Sequence, residues 1–111
     1  MKTKQIKRGD IYYADLNPVI GSEQGDTRPA LIVQNNMGNT YSPTIVIVPL
    51  TCNVEKKFLP THVIIPAVHG LDADSLALVE QILTIDRARI SDYMGRIGGK
   101  VQSEIDSALE I

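Results

Sequence analysis

The chain has 111 residues and a formal net charge of −2 at pH 7, so it lacks the overall positive charge that most nucleic-acid-binding proteins carry. Hydrophobic residues make up 43% and charged residues 22%, which is typical of a folded globular protein and excludes a disordered one. The length suits a single domain covering residues 1–111, since domains typically run to about 100–150 residues.

The apolar stretches predict a protein without a transmembrane segment. The longest of them, residues 30–33 and 45–50, are far shorter than the ~20 residues that a membrane-spanning helix requires. The basic residues near the start are not followed by the apolar run of a secretory signal. Cys52 is the only cysteine, so no internal disulfide can form. These features predict a cytoplasmic location and no membrane contact.

Short runs rich in β-branched residues predict six strands, and the residues between them are typical of turns, among them Asn35-Asn36 and Gly38-Asn39. The predicted strands are Ile11–Ala14, Ala30–Gln34, Thr44–Val48, His62–Ile65, Leu76–Val79 and Ile82–Ile85. Many short strands without a long helix between them predict a mainly β fold, with the strands in a barrel-like antiparallel sheet.

Two longer segments between the strands are predicted to be loops. Residues 17–29 contain four spaced turn formers, Pro18, Gly21, Gly25 and Pro29, and no apolar periodicity, and a loop of this length often has a function. Residues 51–60 carry Lys56 and Lys57 beside Phe58. Cations next to an aromatic ring suit a single nucleic-acid strand, because phosphates attract the cations and bases stack on the ring.

The end of the chain predicts helical structure. Val101, Ile105, Ala108 and Leu109 fall on one face of a helix, which predicts a C-terminal amphipathic helix. Asp86 is expected to cap a brief helical turn through residues 87–90, because its carboxylate can accept hydrogen bonds from the first free amides of that turn.

Several blocks of sequence resemble the MazF/PemK family of bacterial toxin ribonucleases. The resemblance extends from about Ile6 to Leu109, and its blocks occur in a specific order and spacing. They are Lys7–Leu16, Gly21–Gly25, Arg28–Asn35, Val48–Thr51, Leu59–Val63 and Leu78–Asp86.

The resemblance implies a fold and an activity. The expected fold is a compact SH3-like antiparallel barrel with a terminal helix, usually in a homodimer. The expected activity is cleavage of single-stranded RNA at short sequence motifs without a metal or other cofactor. A cognate MazE-like antitoxin is expected to silence the enzyme by occupying its RNA groove.

Arg28 and Thr51 are the predicted catalytic residues. RNA supplies its own nucleophile, the 2′-hydroxyl, so the protein must stabilise charge on the phosphate and assist proton transfer. Each residue lies at the end of a predicted strand, where an arginine fork and a hydroxyl can bind one phosphate. Since arginine keeps its proton at neutral pH, charge stabilisation is the expected role of Arg28. The structural alternatives are a surface ion pair for Arg28 with Glu23 or Asp26, and a backbone hydrogen bond for Thr51.

The remaining RNA-binding candidates come from the loops and strand ends. Each also has a plain structural interpretation, such as turn formation, a solvated charge or a dimer surface. They are Ser22, Glu23, Gln24, Lys56, Lys57, Phe58, His62, Glu80 and Gln81.

Three other functions compete with this interpretation. A histidine or cysteine hydrolase would have to use His62, His69 or Cys52, which lie in no recognisable motif. A metal site is disfavoured because the histidines, the cysteine and the carboxylates lack ligand spacing. A toxin of the same fold could instead act without catalysis, by binding a protein target such as DNA gyrase.

Overall fold

A computed structural model describes residues 5–16, 27–53, 59–67 and 70–110. Within these ranges the chain forms seven strands, two α-helices and two short 3₁₀ turns. The strands are β1 (Asp10–Asp15), β2 (Thr27–Ile32), β3 (Thr44–Thr51), β4 (His62–Ile65), β5 (Ser75–Leu78), β6 (Leu83–Asp86) and β7 (Ile90–Arg96). The helices are α1 (Asn36–Tyr41) and α2 (Gly99–Leu109), and the 3₁₀ turns are Val79–Gln81 and Arg87–Arg89.

Five strands form the barrel that the sequence predicts. They pair antiparallel in the order β7-β1-β2-β3-β6, and the turn Arg87–Arg89 joins the two outer strands of this order. Apolar side chains from these strands and from the segments beside them fill the interior, as burial of the inward-facing side of a barrel requires. These side chains are Ile6, Tyr12, Ala14, Leu16, Ala30, Ile32, Ile45, Ile47, Ile85 and Ile90. The predicted mainly β fold is confirmed.

A second core covers the outer side of the same strands. β3 continues past β6 to pair with β5, and β5 pairs with β4. Helix α2 packs against β4 and buries Val101, Ile105 and Ala108. The predicted C-terminal amphipathic helix is therefore confirmed, and it begins two residues earlier than its apolar pattern indicated.

Two predictions at the ends of loops need correction. Residues 35–39, predicted to be turns, include the start of α1, which Asn35 caps by accepting a hydrogen bond from the Gly38 amide at 2.8 Å. The side chain of Asn39 is buried and donates to the Gln34 carbonyl at 2.9 Å. Tertiary burial thus stabilises a short helix that its residue types do not favour.

The second correction concerns β2, which begins at Thr27 and not at Ala30. Pairing with β1, from Asp15 opposite Thr27 to Ile11 opposite Leu31, extends the strand into polar residues that carry no strand signal. The predicted loop therefore ends at residue 26, and residues 17–26 lie outside the described part of the chain.

The sequence analysis missed β7 and predicted the turn before it. Asp86 accepts a hydrogen bond from the Ala88 amide at 2.8 Å, so the predicted cap is confirmed. The turn ends at Arg89, and Ile90 already belongs to β7. Most of β7 is exposed and polar, so its strand structure comes from pairing with β1.

None of the described helices is long and apolar enough to cross a membrane.

Candidate active site

Arg28 and Thr51 lie at the ends of two neighbouring strands. Ala30, opposite Pro49, is the last residue of β2 that pairs with β3, so Arg28 and Thr51 each lie two residues beyond the end of the paired region. Both residues also line one open cavity of about 560 Å³. The structure therefore brings together the two predicted catalytic residues.

Pro29 lies where the pairing of β2 with β3 ends. The Val33 amide donates to the Val46 carbonyl at 3.2 Å. Hydrogen-bonded pairs recur at every second residue of an antiparallel ladder, so the pairs that follow are Leu31–Val48 and Pro29–Leu50. Proline has no N–H to donate, and the ladder ends at Ala30. On its other side, Pro29 is opposite Tyr13 of β1. The register of these strands needs no N–H from residue 29, so proline is tolerated there. The missing donor therefore accounts for the end of the ladder just before Arg28 and Thr51.

The hydroxyl of Thr51 makes one backbone contact. Its Oγ1 accepts a hydrogen bond from the Asn53 amide at 3.3 Å, which is the backbone contact that the structural alternative predicts. A hydroxyl that accepts one bond still has its own proton to donate. The contact therefore leaves the Thr51 proton available for donation, and the structural and functional interpretations are compatible.

The rest of the cavity lining combines apolar and polar side chains. Tyr13, Pro29, Leu50, Leu71 and Met94 contribute aromatic, aliphatic and thioether surface. The polar members besides the catalytic candidates are Cys52, Asn53, Asp72 and Ser75. Sequence analysis identified neither the aromatic wall nor the residues around Asp72, because the segments that supply them are far apart in the chain.

The tyrosine next to Tyr13 is not available as a base. Burial raises the pKa of Tyr12 above its ordinary value, and the charges of Asp10 and Tyr93 raise it further. Its ring lies in the barrel core, edge-on to that of Tyr93 with 5.4 Å between ring centroids. Tyr12 therefore stays protonated at neutral pH and has a structural role.

Three predicted RNA-binding residues lie away from this cavity. His62 is buried at the start of β4, and its Nε2 is 2.9 Å from Oε2 of Glu80. The other oxygen of Glu80 accepts a hydrogen bond from the Thr61 hydroxyl at 3.2 Å. Gln81 completes the 3₁₀ turn that contains Glu80. The structure gives His62 and Glu80 a mutual structural contact, and their role in RNA binding stays a prediction.

The other RNA-binding candidates lie outside the described residues. They are Ser22, Glu23, Gln24, Lys56, Lys57 and Phe58. The same holds for His69 of the histidine-hydrolase alternative. Among the residues that the structure describes, no three His, Cys, Asp or Glu side chains form a cluster that could hold a metal ion.

Curated relatives with similar sequences are ribonucleases by name. Endoribonuclease EndoA of Bacillus subtilis (strain 168) is 47% identical over 107 residues, which cover 96% of this chain and 92% of the relative. Endoribonuclease MazF of Staphylococcus epidermidis is 46% identical over 107 residues, covering 96% and 89%.

Solved structures share the fold. MazF of Deinococcus radiodurans superposes with a TM-score of 0.83 at 24% identity, covering 96% of this chain and 94% of that one. A mycobacterial endoribonuclease, solved in complex with its cognate antitoxin, has a TM-score of 0.75 at 26% identity and coverage of 96% and 91%. The profile of the PemK-like, MazF-like toxins of type II toxin–antitoxin systems matches residues 7–111. This chain belongs to that family.

Proposed function

We propose that the protein is a sequence-specific endoribonuclease that cleaves single-stranded RNA, chiefly mRNA, without a metal ion. The observation that carries the proposal is the pairing of Arg28 and Thr51 at one cavity. The curated relatives at 44–47% identity are named as endoribonucleases, which supports the same activity.

The reaction needs no nucleophile from the protein. The ribose 2′-oxygen loses its proton and attacks the adjacent phosphorus, while the bond from phosphorus to the 5′-oxygen breaks and that oxygen gains a proton. The products are a 2′,3′-cyclic phosphate and a 5′-hydroxyl. Arg28 stabilises the negative charge that develops on the phosphate oxygens, and Thr51 donates a hydrogen bond to the same group.

Removal of one 2′-hydroxyl from the substrate tests this reaction. An RNA oligonucleotide is compared with a twin that lacks only the 2′-hydroxyl of the sugar at the mapped cut. We expect cleavage of the first and none of the second, with a 2′,3′-cyclic phosphate at the new end detected by mass spectrometry. Cleavage of both would refute 2′-hydroxyl attack. If the protein neither binds nor cleaves either oligonucleotide, the non-catalytic toxin that acts on a protein target would be favoured.

Chelation tests the metal independence. Because Arg28 supplies a permanent positive charge at the phosphate, we expect the cleavage rate to be unchanged in excess EDTA. A gel assay of the oligonucleotide with and without EDTA, followed by added Mg²⁺ or Zn²⁺, measures this. A rate that falls with EDTA and returns with metal would contradict the proposal.

Substitutions of Thr51 separate its hydroxyl from its shape. Thr51→Val keeps the volume and removes the donor, and we expect a rate about 10- to 100-fold lower, as for loss of one hydrogen bond to a charged group. Thr51→Ser keeps the hydroxyl and is expected to retain most of the activity. Single-turnover cleavage assays give both values. Equal rates for the two variants would remove Thr51 from the reaction.

Two partners follow from the family. We propose that a cognate MazE-like antitoxin inhibits the protein, since a mycobacterial relative was solved with its antitoxin. We also propose a homodimer, and light scattering of the purified protein tests it.

A further inference from the structure

The cavity around Arg28 and Thr51 is larger than one phosphodiester requires, and half of its lining residues are apolar or aromatic. Its volume of about 560 Å³ lies within the range of about 300–1,000 Å³ of pockets that enclose small molecules. A phosphate makes no use of the aromatic and thioether surface that Tyr13 and Met94 present. An unstacked nucleobase has two apolar faces that would be buried by such a wall.

Tyr13 is rigidly positioned in this wall. It belongs to β1, which pairs with β2 on one side and β7 on the other. Its carbonyl also accepts a hydrogen bond from the Ser91 hydroxyl at 3.2 Å, and its side chain is half-buried. A ring anchored in the middle of a sheet loses little freedom when a ligand stacks on it.

Met94 reaches the cavity because β7 contains a bulge. Ile11 is opposite Gly95, and the next residue of β1, Tyr12, is opposite Tyr93, so Met94 is an extra residue of β7 at the first of two register shifts between these strands. Such bulges redirect side chains and are frequent next to active sites. Met94 lines the same cavity as Tyr13 and supplies a polarizable, adaptable surface there.

We propose that Tyr13 is a stacking platform for the base of a nucleotide adjoining the scissile phosphate, with Met94 as part of the same apolar wall. This inference rests on the proposed ribonuclease function and adds a specificity-determining residue to it. Stacking tolerates every base. Discrimination between bases at this nucleotide therefore falls to the side-chain amide of Asn53 and the carboxylate of Asp72, two residues that also line the cavity.

Three tyrosine variants test the platform. Stacking that is equally strong before and during the reaction changes KM and not kcat. Tyr13→Ala is therefore expected to raise KM about 5- to 100-fold, the range for loss of one base–aromatic stack. Tyr13→Phe keeps the ring and is expected to behave as the wild type. Tyr41→Ala is the matched control, because Tyr41 is 81% exposed on α1 and does not line the cavity.

An abasic substrate identifies the partner of the ring. Oligonucleotides that lack one base, on either side of the mapped cut, are titrated against wild type and Tyr13→Ala, with the scissile 2′-hydroxyl removed to prevent cleavage. At the stacked position, we expect base removal to weaken wild-type binding about as much as Tyr13→Ala does, and to weaken Tyr13→Ala little further. If base removal and Tyr13→Ala weaken binding independently at every position, so that their fold-changes in Kd multiply, the inference is overturned.

The outcomes separate this inference from the function beneath it. Failure of the wild type to cut RNA would refute the proposed function. A wild type that cuts, together with Tyr13→Ala that binds and cuts equally well, would refute only the platform. Tyr13→Ala that loses antitoxin binding while its RNA kinetics are unchanged would also refute it and assign the wall to the antitoxin. A similar fall in kcat for Tyr13→Ala and Tyr13→Phe would instead assign a chemical role to the phenol and overturn stacking.

Discussion

Arg28→Ala is expected to lower the rate of RNA cleavage by at least about 10²–10³-fold, the usual cost of removing a preorganised donor at a developing negative charge. The loss should appear in kcat, because the phosphate gains its extra charge only in the transition state. Single-turnover assays with saturating enzyme measure it directly. A rate within threefold of wild type would remove Arg28 from the mechanism.

Two controls define what Arg28 contributes. Arg28→Lys keeps the charge and loses the planar fork, so we expect an intermediate rate if two phosphate oxygens are bound at once. Lys100→Ala removes one positive charge at an exposed position of α2 that does not line the cavity, and its rate should equal that of wild type. A general loss of charge is thereby distinguished from loss of the specific contact.

Gly70→Ala is expected to destabilise the fold by about 2–5 kcal/mol, combining left-handed backbone strain with overpacking. Gly70 has a φ of +96°, and a Cβ at this residue would collide with the carbonyl oxygen of Met94 and the backbone of Gly95. Neither neighbour is the flexible end of a side chain, so the backbone itself has to move. Thermal unfolding followed by circular dichroism should show Tm lowered by roughly 10 °C or more.

The same substitution at Gly99 is its control. Gly99 is the first residue of α2, and a Cβ there meets no atom within 4 Å. Alanine at this position should leave Tm unchanged or raise it slightly, because it lowers the entropy of the unfolded chain. If Gly70→Ala also leaves Tm unchanged, the close approach between the chain before Leu71 and β7 is not important for stability.

The strands of the two cores were predictable because burial controls their composition. β3 and β4 are rich in Val and Ile, and the predicted strands at 44–48 and 62–65 lie within or coincide with them. β7 was not predictable, since it is a mostly exposed strand whose partner, β1, is more than 70 residues away in sequence. Local residue patterns report on burial and carry little information about such long-range pairing.

The candidate site was predictable only in part. Arg28 and Thr51 were chosen for their chemistry, their places at strand ends and the family resemblance, and the structure places them at one cavity. Tyr13 and Met94 were not foreseen. Their common position depends on the register of β1 against β7, which shifts twice, and no local signal in the sequence reports these shifts.

The proline at position 29 limits how far β2 and β3 can pair. Residue 29 cannot donate a hydrogen bond to the Leu50 carbonyl at any temperature or in any solvent, because proline has no N–H. Since this limit is part of the covalent structure, a fully hydrogen-bonded ladder cannot extend as far as Arg28 and Thr51 in any state of the folded chain.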